Sequence, residues 1–227
     1  MTQESVTLSR RERERLMRRE AILEAAREIF AERGYEQATL DEIAQRAEFG
    51  KGTLYNYFPG GKEELLMATL ERLYDELEAL AESIFREPVT TPEQLFDVFR
   101  RFIEAHLRFF ETHQDIFLLL MKEAHRLMLT QKREEARLLI RQRERIIARL
   151  LPVLKEAMAR GLLRQLDAHM VAHTLLGNIY GLFFAMHMQK HCSLEEIPAS
   201  ALSVSEAAEF LTTVLFKGML ITGKEVS

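Results

Sequence analysis

Apolar residues recur along this chain at three- and four-residue intervals, and no segment alternates with a two-residue period long enough to specify a strand. Ile22, Leu23, Ala26, Ile29 and Phe30 form the buried stripe of a first helix, which Gly34 is predicted to end as a left-handed cap. Leu40, Ile43, Ala44 and Ala47 give a short second helix one apolar face. Leu54 and Phe58, one turn apart, give a third its inward side, and Pro59-Gly60-Gly61 stops it. Leu65, Leu66, Leu70, Leu73, Leu77 and Leu80 mark a long helix from Lys62 to about Phe85, on the order of 36 Å at the helical rise. Arg86 to Thr91, with Pro88, reads as a break. A fifth helix buries Leu95, Phe99, Phe102, Ile103, His106 and Phe110. A sixth, about Asp115 to Leu129, is apolar nearly all round in its first half and is predicted to be central. The seventh, about Lys132 to Arg160, should kink at Pro152 and be capped by Gly161. An eighth runs from Asp167 to about Lys190, and a polar loop leads to a ninth that reaches Thr222.

Three helix starts carry the reciprocal capping signature, a hydroxyl followed three residues later by Glu or Gln: Thr39 with Glu42, Thr91 with Gln94, Ser203 with Glu206. The chain is therefore all-α, with about nine helices in total. A three-helix N-terminal domain over residues 1–66 precedes a helical bundle over 67–227, the boundary falling in the long helix. Thr39 to Phe58 reads as a helix–turn–helix, with Gly50 supplying the backbone freedom for the reversal.

Composition and charge narrow the function. The chain has 227 residues, 47% hydrophobic and 29% charged, an ordinary balance for a soluble protein with a substantial core. The longest apolar runs, Ile116 to Met121 and Tyr180 to Met186, fall far short of the roughly 18 residues of a membrane span. No apolar segment follows the Arg-rich N-terminus as in a signal peptide, and the single Cys192 suits a reducing compartment. A cytoplasmic location with no membrane partner is expected. Net charge is −4, and residues 1–66 hold 11 Lys+Arg against 13 Asp+Glu. Nucleic-acid binding must then rest on where charges sit. Phe49 to Gly61 contains no acidic residue, and the outer side of its helix carries Lys51, Thr53, Asn56 and Tyr57, all able to donate to phosphates or base edges. Upstream, Arg10, Arg11, Arg13, Arg15, Arg18 and Arg19 alternate with glutamates. They read either as a basic arm on the phosphate backbone or as the solvated start of a helix.

Ile22-Leu23-Glu24-Ala25-Ala26, Phe30, Gly34-Tyr35, Thr39 to Ala44, Ala47, Gly50, Gly52 to Phe58 and Lys62 to Leu66 together resemble the N-terminal domain of TetR-family transcriptional regulators. The match covers roughly residues 18–67, with many small identities in order at fixed spacing. One departure is the extra residue in Pro59-Gly60-Gly61, where such proteins usually have two residues between the Phe and the Lys. The resemblance implies a homodimeric repressor that binds a palindromic double-stranded DNA operator and is released by a small-molecule inducer. It also implies that Thr39, Tyr57 and Lys62 hold phosphates. Lys51, Gly52, Thr53 and Asn56 would face the major groove, and Tyr55 would serve in either role or pack the domain.

In the second domain, Gly177 and Gly181 leave one face of a helix without side chains for a turn, and Gly218 interrupts the last helix. Each costs about 1 kcal/mol relative to alanine. A dimer interface of Gly177, Gly181, Phe210, Val214 and Gly218 would offset this; the alternative is room for a ligand. An apolar or amphipathic inducer is expected among Phe99, Phe102, Phe117, Met121, Tyr180 and Phe184, although these residues are most simply core. His169/His173 and His187/His191 are i,i+4 pairs, but they lie five turns apart and neither has an obvious carboxylate ligand nearby in sequence. No metal and no cofactor is assigned, and a surface or interface role for the histidines is the preferred reading. No Glu-x-x-His occurs, which di-iron bundles need, and no nucleophile–base pair stands out, so an enzyme is not expected.

Overall fold

A computed structural model describes residues 9–119, 122, 133–192 and 202–217. Among them there is no strand, and no helix is long and apolar enough to cross a membrane. The chain divides into two compact units. One comprises Met1–Leu73 with Asp115–Gln131, the other Tyr74–Gln114 with Lys132–Ser227.

The first unit contains α1 (Arg10–Gln37), α2 (Leu40–Arg46), α3 (Lys51–Tyr57) and the beginning of α4 (Gly61–Ile84). A capping box of Ser9 and Glu12 starts α1, so the arginine-rich segment is helix from Arg10 onward. Gly34 does break α1, with φ 74° and ψ 164°, yet a further turn continues to Gln37. Ile22, Leu23, Ala26, Ile29 and Phe30 are buried with Ile43, Ala44, Leu54, Phe58, Leu65 and Leu66. Around this core, Arg46 of α2 bonds Glu28 at 2.7 Å and Glu32 at 3.0 Å on α1. Arg72 of α4 reaches Glu24 at 3.1 Å, and the Arg19 guanidinium lies 5.3 Å from the Phe58 ring.

The second unit contains the rest of α4, α5 (Pro92–Thr112), α6 (Arg133–Ala159), α7 (Ala168–Cys192) and α8 (Val204–Lys217). The capping boxes predicted for α5 and α8 form: Gln94 N donates to Thr91 Oγ1 at 3.2 Å, and Ser203 N donates to Glu206 Oε2 at 2.8 Å. Gly161, at φ 72°, ends α6 in a Schellman motif, with Leu162 N donating to Ala157 O at 2.9 Å. The helix runs through Pro152. Phe99 meets Phe216 at 4.6 Å between ring centroids, and Phe110 stacks on Tyr180 at 5.3 Å. Arg145 of α6 joins Asp75 and Glu78 of α4, and Arg149 adds a 2.9 Å bond to Glu78. Residues 114–119 are helical, but the rest of the predicted sixth helix, Lys122 aside, and the end of the ninth lie outside the described residues.

Candidate nucleic-acid interface

The α2–α3 unit is held by local chemistry at each end. Thr39 caps α2: its Oγ1 accepts from Glu42 N at 3.2 Å while Glu42 Oε2 accepts from Thr39 N at 3.0 Å. The Thr39 hydroxyl, then the Thr39 amide, hold the Glu42 carboxyl below its ordinary pKa. Gly50 is not the residue that reverses the chain. It caps α3 in extended conformation at φ −72°, and the left-handed residue is Glu48, at φ 60°. The reversal closes through Phe49 N donating to Ala44 O at 2.9 Å. A non-glycine residue adopts that conformation when surrounding bonds fix it.

With Leu54 and Phe58 buried, helical spacing turns Lys51, Gly52, Tyr55 and Asn56 outward, and all four are exposed, Tyr55 by 42%. Thr53 and Tyr57 are half-buried on the flanks. Gly52 has no positive φ and open space where a Cβ would stand, so neither backbone nor packing requires glycine there. Lys51 Nζ bonds Asp41 Oδ2 at 2.8 Å, and that hydrogen bond raises the amine's pKa. Lys62 is turned inward: its Nζ donates to the carbonyls of Glu36 and Ala38, both at 3.1 Å, and lies 4.7 Å from the Tyr35 ring centroid. It braces the segment leading into α2. Sequence spacing gave no signal for this contact, nor for Asp41 opposite Lys51 or Arg46 between two glutamates.

In the second unit, Phe99 and Phe102 are fully buried. Tyr180 is hydrogen-bonded with Tyr74, and burial, then Tyr74, push its hydroxyl well above its ordinary pKa. Phe184 points elsewhere. It is 55% exposed because it follows Phe183, whose side chain takes the inward direction against Phe110. Phe117 is buried and belongs to the first unit, while Met121 lies outside the described residues. Met170, Thr174, Gly177, Gly181 and Phe184 make one exposed stripe on α7, and Phe210 and Val214, each 56% exposed, another on α8. Arg143 Nη2 stands 4.0 Å from where a Cβ of Gly177 would be, whereas Gly181 faces open space. Gly218 and the His191 side chain lie outside the described residues.

Residues 22–69 match the family model of bacterial regulatory proteins of the tetR family, and residues 93–183 that of the tetracyclin repressor-like C-terminal domain. Together they cover more than half of the chain. The HTH-type transcriptional activator FasR of Mycolicibacterium smegmatis is 38% identical over 94 residues, 41% of either chain. The HTH-type regulator UidR of Escherichia coli is 44% identical over 71 residues, 31% of this chain and 34% of its own. The matched stretches thus span less than half the length of these relatives. Among solved structures, GusR of Salmonella enterica superposes with a TM-score of 0.65 and 26% identity, covering 94% of this chain and 100% of its own. PfmR of Thermus thermophilus gives 0.62 and 24%, with 86% and 97% covered. With its capped α2, its turn at Glu48 and the outward face of α3, the chain belongs to the TetR family of helix–turn–helix transcriptional regulators, which are not enzymes.

Proposed function

We propose that the protein is a cytoplasmic, ligand-responsive repressor that binds a palindromic operator as a homodimer and is released by a small apolar or amphipathic molecule. The observation that carries DNA contact is the exposed stripe of Lys51, Gly52, Tyr55 and Asn56 on a helix with no acidic residue of its own, backed by buried Leu54 and Phe58. Lys and Asn suit guanine and adenine edges, and the bare Gly52 lets the helix approach the groove closely. Thr39 and Tyr57 flank this face and take phosphates. Lys62 reaches one only by leaving the two carbonyls it now holds.

The exposed apolar stripes of α7 and α8 support the dimer, since a monomer gains nothing from leaving Phe184, Phe210 and Val214 in water. Two-fold pairing would set the recognition helices for half-sites about 34 Å apart. For the inducer, the support is the aromatic interior of Phe99, Phe102, Phe110 and Phe183, with Tyr180 stacked on Phe110 and hydrogen-bonded to Tyr74. Because α4 gives residues to both units, a ligand that shifts it would tilt α2 and α3, and a coupling of about 1–3 kcal/mol is enough to regulate.

Fluorescence anisotropy with DNA from upstream of the protein's own gene tests the reading. Sequence-specific, salt-sensitive binding that is weakened by Lys51→Ala and by Asn56→Ala is expected; its absence in folded protein refutes it. The activator FasR makes the opposite sign of regulation the second reading. A reporter that falls when the gene is deleted, instead of rising, selects it.

A further inference from the structure

Asp167, two residues before the i,i+4 pair His169/His173, caps the helix by accepting from Met170 N at 2.9 Å, but the fold brings a second carboxylate to the pair from another helix. Glu144, on α6 and 25 residues upstream of His169, faces both imidazoles of α7. Its Oε1 is 3.4 Å from His173 Nε2 and its Oε2 is 3.9 Å from His169 Nε2. The imidazole ring centroids are 5.5 Å apart, and one donor atom from each of the three residues lies within 4.8 Å of the other two.

We propose that Glu144, His169 and His173 form a binding site for a divalent ion of the zinc class. Zinc takes histidine nitrogen and carboxylate oxygen at about 2.0–2.2 Å, which places ligand atoms about 3.3 Å apart around a tetrahedron. The 3.4 Å separation already meets that edge. The 3.9 Å one runs to the second carboxylate oxygen and closes when Glu144 turns or chelates. The two imidazole nitrogens, within 4.8 Å of each other, must approach by up to about 1.5 Å. Two nitrogens and one oxygen suit zinc, nickel or copper, whereas magnesium and calcium call for oxygen alone. All three side chains are partly exposed, so an ion can enter and a water or small anion can take the remaining position. Arg143, next to Glu144, is drawn off the site: its Nη2 donates to the His173 carbonyl at 3.3 Å and its guanidinium lies 5.7 Å from the Tyr180 ring centroid. An ion here would tie α6 to the first turns of α7. The site stands independently of the DNA-binding reading.

The test is calorimetric titration of untagged, EDTA-stripped full-length protein with Zn²⁺, with Co²⁺ absorption as a geometry probe and Mg²⁺ as the oxygen-preferring control. One zinc per chain is expected, with a tetrahedral or five-coordinate cobalt spectrum, no magnesium binding and a higher Tm with zinc. His169→Ala, His173→Ala and Glu144→Gln should each weaken zinc by at least about tenfold, no less than the loss of an outer partner costs, and His187→Ala should leave it unchanged. Should His169→Ala not fold, His169→Gln keeps the shape and takes its place. Folded protein that binds no zinc, or zinc binding that survives the three substitutions or follows His187→Ala, overturns the site and leaves these contacts as ordinary surface ion pairs.

Discussion

Gly52 stands exposed in α3, and a methyl group there would meet nothing. Gly52→Ala should therefore raise stability by about 0.5–1 kcal/mol in chemical denaturation. It should also weaken operator binding by at least about fivefold, roughly 1 kcal/mol of groove contact. A more stable variant that binds DNA unchanged would remove close approach as the reason for the glycine. His106 is the second residue with a sharp consequence. Its Nδ1 sits 2.9 Å from Phe102 O, its Nε2 is buried without a partner, and burial lowers its pKa to about 4. The unfolded chain binds a proton near the ordinary value of about 6.5 and the folded chain does not. The stability from a neutral His106 is thus complete above about pH 6.5 and is lost as pH falls toward 4, by roughly 3 kcal/mol in all. Urea denaturation of His106→Leu between pH 7 and pH 4.5 should show a shallower decline than the native chain; equal slopes would place the titration elsewhere.

Helix starts were legible from sequence because a capping box is a contact between residues three apart, and the pairs at Thr39, Thr91 and Ser203 all form. The Ser9–Glu12 box carried the same signal and makes the arginine-rich segment a helix. The turn between α2 and α3 was less legible. Glycine is the usual left-handed residue, but the bonds of Glu48 N to Gln45 O and Phe49 N to Ala44 O place Glu48 there. Glu48→Gly should then stabilise the element by about 1 kcal/mol, measured as a rise in Tm; a fall would mean the Glu48 side chain makes a contact worth more than the strain. Contacts of Lys62, Arg46 and Glu144 join residues 14 or more apart, and no periodicity encodes them.

At the scale of the whole molecule, the exposed stripes of α7 and α8 predict self-association. Phe210→Glu should shift the sedimentation profile from dimer to monomer while helical content is kept, since the Phe210 side chain is largely exposed within its own chain. A native chain that sediments as a monomer would instead leave these stripes without a partner. Acid should also loosen the second unit. Burial opposes ionisation of Glu78, but Arg145 and Arg149 outweigh it and hold the carboxyl below its ordinary value. The stability from this cluster is whole above the ordinary carboxylate pKa of about 4.3 and disappears as pH falls through the lower folded value. Fold class was readable at this scale because helical periodicity and caps repeat along the chain. Inward and outward directions were readable only where the apolar stripe was narrow, which is why Phe183 and Phe184 separate only in three dimensions.

The 2.8 Å pair of Lys51 and Asp41 sets up a competition for the ammonium that the groove would take. To reach a guanine edge Lys51 must leave Asp41, and the exposed carboxylate then stands uncompensated on the side of the domain that the duplex approaches. Its repulsion by the phosphates is strongest where salt screens least. Asp41→Asn removes both the competitor and the repulsion. It should tighten operator binding, most at low ionic strength, and an unchanged affinity would mean that the pair opens at no cost.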